Sequence, residues 1–343
     1  MRLIDQEKVD IINGVYASAH AVPLAAKVEQ QKKILWITTA VSTAVFKDKN
    51  LQYVFRAQIH SDQYGQAFAS FIAEHAKAKL GMEPKDVKVA LIHEDGPYGV
   101  GVAAADEAYS KEAGLQVVLR EGYSASAPDL SVLVTKLKRA RRRRDLARGL
   151  QSRHHPVPAP GARERPSLQD AVRQRRRATA SSTSCARRSA RTSTISATSI
   201  RCPRNCSIPR NSRPGSAISS RPWSRATRQK TGATDVPPHC SMGFNQTWVL
   251  LNNVLPVAKE KYGGFDPEAV RKAALDVDIP PGGTIQGYGV KFYPPGTPLS
   301  GQNERSTPVV MQNAGEHISV VWPTNIRTQD PVFPLPKSSI YAA

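Results

Sequence analysis

Residues 9–43 read VDIINGVYASAHAVPLAAKVEQQKKILWITTAVST, and their order decides the fold class. Val9 to Val15 is an apolar run broken by Gly14, the profile of a strand buried on both faces. Ser18 can cap a helix running to about Gln31, because its hydroxyl can accept a free N–H of the first turn. Ile34 to Ile37 is the next strand, and the hydroxyl-rich turn Thr38 to Thr43 follows it. A strand, a helix and a second strand without a hairpin signal form a βα unit, whose strands run parallel.

The same alternation continues outward. Tyr53 to Phe55 is a short strand. Ser61 and Asp62 then open a helix with Tyr64, Phe68, Phe71 and Ile72 along one face. Val87 to His93 is a strand, Gly99 to Gly114 a helix ending in a C-cap glycine, Val117 to Leu119 a strand, and Leu130 to Ala140 an amphipathic helix. Repeated βα units predict an α/β fold with a mostly parallel, doubly wound sheet. Further on, Gly243 to Tyr262 reads as one helix with Trp248, Leu251, Leu255 and Tyr262 on a stripe that core packing explains better than a cofactor. Asp266-Pro267-Glu268 opens a helix to Asp276, with Pro at the first position and acids in the first turn. Gly287 to Tyr293, Thr307 to Gln312 and His317 to Trp322 read as strands, and Pro-rich turns run from Pro331 to Pro336. Met1 to Ile4 resembles the end of a helix feeding the first strand, so the opening units of a doubly wound sheet are expected to be missing.

Composition divides the 343 residues in two. The net charge is +20, yet Arg141 to Arg228 alone hold 22 arginines, no lysine and three acids, with Trp223 as their one aromatic. The remainder is close to neutral. No apolar run approaches the length of a membrane span, which speaks against an integral membrane protein, and no secretory signal opens the chain. Four cysteines are too few for a disulfide scaffold, and the Cys202/Cys206 spacing has no second pair to complete a zinc site. No Ser/His/Asp set, carboxylate pair or P-loop is present. These absences predict no catalytic residue, no metal, no cofactor and no enzyme.

Three readings compete for residues 141–228. A disordered basic arm would bind nucleic acid through phosphate contacts. A solvated linker would do nothing of its own. A shifted reading frame in a G+C-rich gene would also yield Arg, Ser, Pro and Ala without Lys. The last can be checked against codon degeneracy. Taking the last two bases of each codon with the first of the next, Gly149 to Arg163 permit GYNPDITLFLRQARE, an apolar helix preceded by Gly-Tyr. Taking the third base with the next two, Thr198 to Arg228 permit IDPVPAQLLDP and, after two undetermined residues, LAPGIGDLIKAMVARYK. That string runs directly into Gln229-Lys230-Thr231-Gly232, and the frameshift is the preferred reading.

The runs VDIINGVYASAHAVPLAAKVEQQKKILWITTAVSTAVF, YVFRAQIHSDQYG, VALIHEDGPYGVGVA and DLSVLVTKLKRA resemble the branched-chain amino-acid ABC-transporter substrate-binding proteins, type I periplasmic binding proteins of the Leu/Ile/Val-binding family. GFNQTWVLLNNVLPVAKEKYGGFDPEAVRKAALD and GVKFYPPGTPLSGQNERSTPVVMQ resemble the same family's C-terminal part. The resemblance implies two α/β lobes joined by a hinge and closing on a small amino acid or related carboxylate, with an ABC permease as partner and no specific nucleic acid. It implies lobe one in residues 1–60, lobe two in 61–140, the anomalous segment in 141–228, and a return to lobe one near Pro237-Pro238 within 229–343. Ser18 and Ser42 would give hydroxyls, and Ala40 a main-chain group, to the ligand carboxylate. Tyr98 would face the cleft from lobe two. At the family's second cleft tyrosine this chain has Leu150, and no residue matches the acidic ammonium partner. The family is periplasmic, whereas this chain without a signal would stay cytoplasmic. The capture function is therefore expected to be impaired.

Overall fold

A computed structural model describes residues 2–142, 151–152, 194–198, 238–314 and 317–332. The chain divides into two units, one of Met1–Ala67, Gly96–Ala105 and Thr198–Val309, the other of Phe68–Asp95, Asp106–Ala197 and Val310–Ala343.

In the first unit a one-turn helix α1 (Arg2–Asp5) precedes β1 (Ile11–Gly14), α2 (Ser18–Gln30), β2 (Ile34–Ile37) and β3 (Val54–Phe55). The three strands are parallel in the order β1-β2-β3, with Ile12 opposite Leu35 and Trp36 opposite Phe55. All four residues of β2 are buried, because successive side chains serve opposite layers. Leu35 and Ile37 meet Ala21, Ala25 and Val28 of α2. Ile34 and Trp36 meet the other layer, built from α6 (Pro238–Val249), a π-helical turn (Leu250–Val254), α7 (Leu255–Tyr262) and α8 (Pro267–Leu275). Burying each such large side chain stabilises the unit by about 1.5–3 kcal/mol. The Trp36 indole N–H would cost part of that if unpaired; it donates to the Gln246 carbonyl at 2.8 Å.

In the second unit β4 (Lys88–Glu94), β5 (Gln116–Tyr123) and β6 (Gln151–Ser152) form a parallel sheet in the order β5-β4-β6. Val89 to His93 are buried in its central strand. A second sheet has the order β7 (Thr194–Thr198), β8 (Val309–Ala314), β9 (His317–Trp322), with β8 and β9 antiparallel. Three longer helices complete the description: α3 (Ser61–His75), α4 (Pro97–Glu112) and α5 (Ser131–Arg142).

The predicted α/β class with parallel, doubly wound sheets is the class observed. Two elements differ from expectation. The single helix expected over 243–262 starts at Pro238 and is interrupted by the π-helical turn just before Pro256, whose ring and missing N–H cannot continue a regular α-helix. The strand expected over Gly287 to Tyr293 is not formed. It makes one bridge from Val290 to Ile279 and another from Phe292 to Asn303, so its alternating residues have no continuous partner. Of the Pro331 to Pro336 turns only residues 331–332 are described, and of residues 141–228 only 141–142, Gln151–Ser152 and Thr194–Thr198; Leu150 lies outside the described residues.

Candidate functional site

The carboxyl ends of β1 and β2 converge where doubly wound sheets bind ligands. The chain leaves β1 through Gly14 and then Val15, a β-branched residue at φ +73°, a conformation that costs energy for any side chain with a β-branch. The Val15 carbonyl accepts the Ala40 N–H at 3.3 Å and the Gly14 carbonyl accepts the Thr38 N–H at 2.9 Å, which ties the loop after β1 to the loop after β2.

Ser18 is the first residue of α2 and is buried. The expectation that it caps this helix is corrected: Ala17 holds the N-cap position and no side chain caps. The Ser18 Oγ accepts instead the N–H of Ser42 at 3.2 Å. Ser42 is itself an N-cap, its Oγ accepting the Ala44 N–H at 3.3 Å ahead of a 3₁₀ turn over Thr43–Val45. The intervening Thr43 N–H goes to Ser61 Oγ at 3.0 Å. Three consecutive amides, Ser42 to Ala44, are thus each held by a serine hydroxyl. As acceptors in these bonds, Ser18 and Ser42 each keep a hydroxyl proton for a further acceptor.

Proton directions in the neighbouring network follow from its one carboxylate. The Thr43 hydroxyl donates to Asp62 Oδ1 at 2.8 Å, so the Ser61 hydroxyl, 2.7 Å away, donates to Thr43. His60 Nδ1 lies 3.3 Å from the same Thr43 oxygen. Burial, with the nearby Arg56 charge adding to it and Asp62 opposing it, lowers the His60 pKa to about 4.

Arg56 underlies this turn. Its side chain is fully buried, its Nη1 donates to the carbonyls of Ala40 at 2.9 Å and Ser42 at 3.0 Å, and its Nε donates to Gln302 Oε1 at 2.6 Å. The guanidinium carbon sits 4.7 Å from the centre of the Phe46 ring. Burial pulls its pKa down to about 9, with Asp62 and Tyr64 opposing. Arg56, Thr43, His60 and Ser61 were not among the residues expected at the site. The available signal was a charge inside the apolar alternation of Tyr53-Val54-Phe55-Arg56-Ala57, where a buried arginine must have its N–H groups hydrogen-bonded.

Tyr98, half-buried at the second position of α4, belongs to the stretch Gly96–Ala105 that clusters with the first unit. One turn on, a Cβ on Gly101 would stand 3.3 Å from the hydroxyls of both Ser42 and Ser61, so α4 approaches this turn at a glycine. Ser18, Ala40 and Ser42 are therefore bonded into one cluster, and Tyr98 lies one helical turn from a residue that touches it. Among the described residues, no group of three or more His, Cys, Asp or Glu is placed to hold a metal ion, and no helix is long and apolar enough to cross a membrane. Cys202 and Cys206 lie outside the described residues.

Residues 1–142 match the sequence family described as periplasmic binding protein. The chain is similar to the Leu/Ile/Val-binding protein homolog 7 of Brucella suis biovar 1 (strain 1330), at 29% identity over 337 residues, spanning 94% of this chain and 76% of the relative. A leucine-binding protein from Thermotoga maritima MSB8 superposes with a TM-score of 0.61 at 18% identity, covering 93% of this chain and 81% of that one. The solute-binding protein of an ABC transporter from Rhodopseudomonas palustris BisB5, solved with 3,4-dihydroxybenzoic acid, gives a TM-score of 0.58 at 14% identity over 95% and 78% of the two chains.

Proposed function

Because residues 1–142 carry a periplasmic binding protein domain and the chain has the type I fold of that family, we propose that it derives from the solute-binding component of an ABC importer for branched-chain amino acids or related small carboxylates. The observation that carries this reading is the pair Ser18 and Ser42, buried at the ends of β1 and β2, each with a proton to give. A carboxylate needs such donors, and hydrogen bonds to an ionised acceptor are about twice as strong as neutral ones. Ala40 adds a main-chain group in the same turn, and Tyr98 a phenol one turn from Gly101. An amino acid and a benzoate share the carboxylate that these groups suit; the remainder of the ligand selects between them. The partner is a membrane permease, the setting periplasmic, and the reading assigns no catalysis.

In this chain the capture function is impaired. Type I closure needs ligand contacts from both lobes, since contacts made only in the closed form shift the equilibrium toward it. The acidic partner for a ligand ammonium has no counterpart here, and Leu150 replaces the second tyrosine. Calorimetric titration with leucine, isoleucine, valine and benzoate tests both statements. A frame-restored protein is expected to bind one of them, and the present chain to give no saturable heat. Micromolar binding by the present chain would remove the impairment; no binding by the restored protein to any of the four would remove the solute-binding reading.

A further inference from the structure

Arg56 is a buried cation without a carboxylate in hydrogen-bond contact: its partners are two backbone carbonyls, one amide oxygen and a phenylalanine ring. A lone buried charge is costly, so its retention calls for a use. Both carbonyls belong to the turn that carries Ser42, and they converge on the same nitrogen. Without a cation there, two like-polarised oxygens would face each other across a three-residue span, directly beside the hydroxyls assigned to the ligand. We propose that Arg56 is the positioning residue of the Ala40 to Thr43 turn, clamping the Ala40 and Ser42 carbonyls through Nη1 while its Nε on Gln302 fixes the guanidinium plane, and placing a positive charge behind the site of an anionic ligand. This deepens the carboxylate reading and rests on it for the ligand's identity, but not for the clamp or the charge.

Two readouts on the full-length chain separate the clamp from the charge without any ligand. Hydrogen exchange at the amides of Ser42, Thr43 and Ala44, all bonded to serine hydroxyls, reports the clamp. The NMR titration of His60 reports the charge; the ionisable groups facing this ring are Arg56 and Asp62. In Arg56→Lys the charge stays while the anchor is lost, since an ammonium has no Nε for Gln302 Oε1 to hold and no rigid plane to aim it at the two carbonyls. Exchange at the three amides should rise roughly tenfold or more there, while His60 still titrates near its native value of about 4. In Arg56→Met the exchange should rise as well, and the His60 pKa should rise only part of the way, because burial, its larger cause, remains. Unchanged exchange in Arg56→Lys overturns the clamp, a result that stands even if the methionine variant does not fold. A His60 titration that Arg56→Met leaves in place, or that Arg56→Lys raises as far as Arg56→Met does, overturns the charge. If both readouts behave as expected and the frame-restored protein still binds no carboxylate, the functional reading fails and the role of Arg56 in the turn stands.

Discussion

At Ser18 a hydroxyl that the local sequence offers to its own helix goes instead to an amide in the loop after the next strand. A cap stabilises by about 1 kcal/mol; the long-range bond replaces it and links two strand ends that together form the candidate site. Nothing in residues 15–20 distinguishes the two uses, since either acceptor role needs the same side chain. Gly301 is the opposite kind of residue, one whose identity follows from its surroundings alone. It has φ +84°, its carbonyl accepts the Arg56 N–H at 3.0 Å, and a Cβ there would collide with the Val54 carbonyl oxygen. Backbone cannot swing aside as a flexible side chain can. Gly301→Ala should therefore destabilise by roughly 2–4 kcal/mol, combining left-handed strain with displacement of β3. Urea denaturation measures it; a loss within about 0.5 kcal/mol would mean that the approach to Val54 is looser than described.

Helix α8 is the element whose start was most legible. Asp266 caps it by accepting the N–H groups of Glu268 and Ala269, both at 3.1 Å, and Pro267 occupies the first turn, as its sequence predicts. Its attachment to the sheet was not legible. Glu268 accepts two bonds from Arg271 and one from the Tyr53 hydroxyl at 3.1 Å, and Arg271, first among the causes, holds the Glu268 carboxyl down at about 2. A depressed carboxylate pKa contributes stability that is complete above the unfolded value near 4.5 and fades as pH falls toward 2. The group is partly exposed, so solvent screening keeps the contribution modest. Glu268→Gln should lower stability modestly at neutral pH and flatten the acid limb, the two profiles converging as pH falls toward 2. Thermal unfolding measured from pH 5 to pH 2.5 checks this, and an identical acid limb in the variant would refute it. The pattern is general across this chain. β2, α3 and α8 were readable because periodicity and caps are local, and the 3.6- and 2-residue repeats are imposed by burial on one face. Arg56, Ser61 and the Val290 and Phe292 bridges were not, because their partners are set by which segments meet in space. The π-helical turn stands between the two cases, since Pro256 announced a disturbance without specifying its form.

At the scale of the whole molecule, the boundary in composition coincides with the end of the family match. The match to the periplasmic binding protein family ends at residue 142, and the arginine-rich stretch begins at Arg141. An evolved nucleic-acid arm and a shifted frame both account for 22 arginines without lysine, but they differ in what else they require. An arm gives no reason for its residues to permit apolar helical strings in alternative frames, or for such a string to meet Gln229-Lys230. A frameshift predicts both, and because the two strings lie in different frames it requires a frame change near each end of the stretch and a third between residues 163 and 198. The two origins also differ in binding. Either way the charge should draw the chain to duplex DNA at low salt, with affinity falling steeply as salt releases the advantage of phosphate contacts. Only an evolved reader should add base contacts, which carry the sequence preference. We expect binding in filter or anisotropy assays that is equal for unrelated duplexes, is lost between about 50 and 200 mM salt, and disappears in the frame-restored protein. Sequencing of the gene from the codon of Ala140 to that of Arg228 should find these changes relative to its relatives. A defined DNA site recovered by selection from random duplexes, together with an uninterrupted frame in independent isolates, would replace the frameshift with a genuine basic arm and turn the chain into a nucleic-acid-binding protein built on a solute-binding fold.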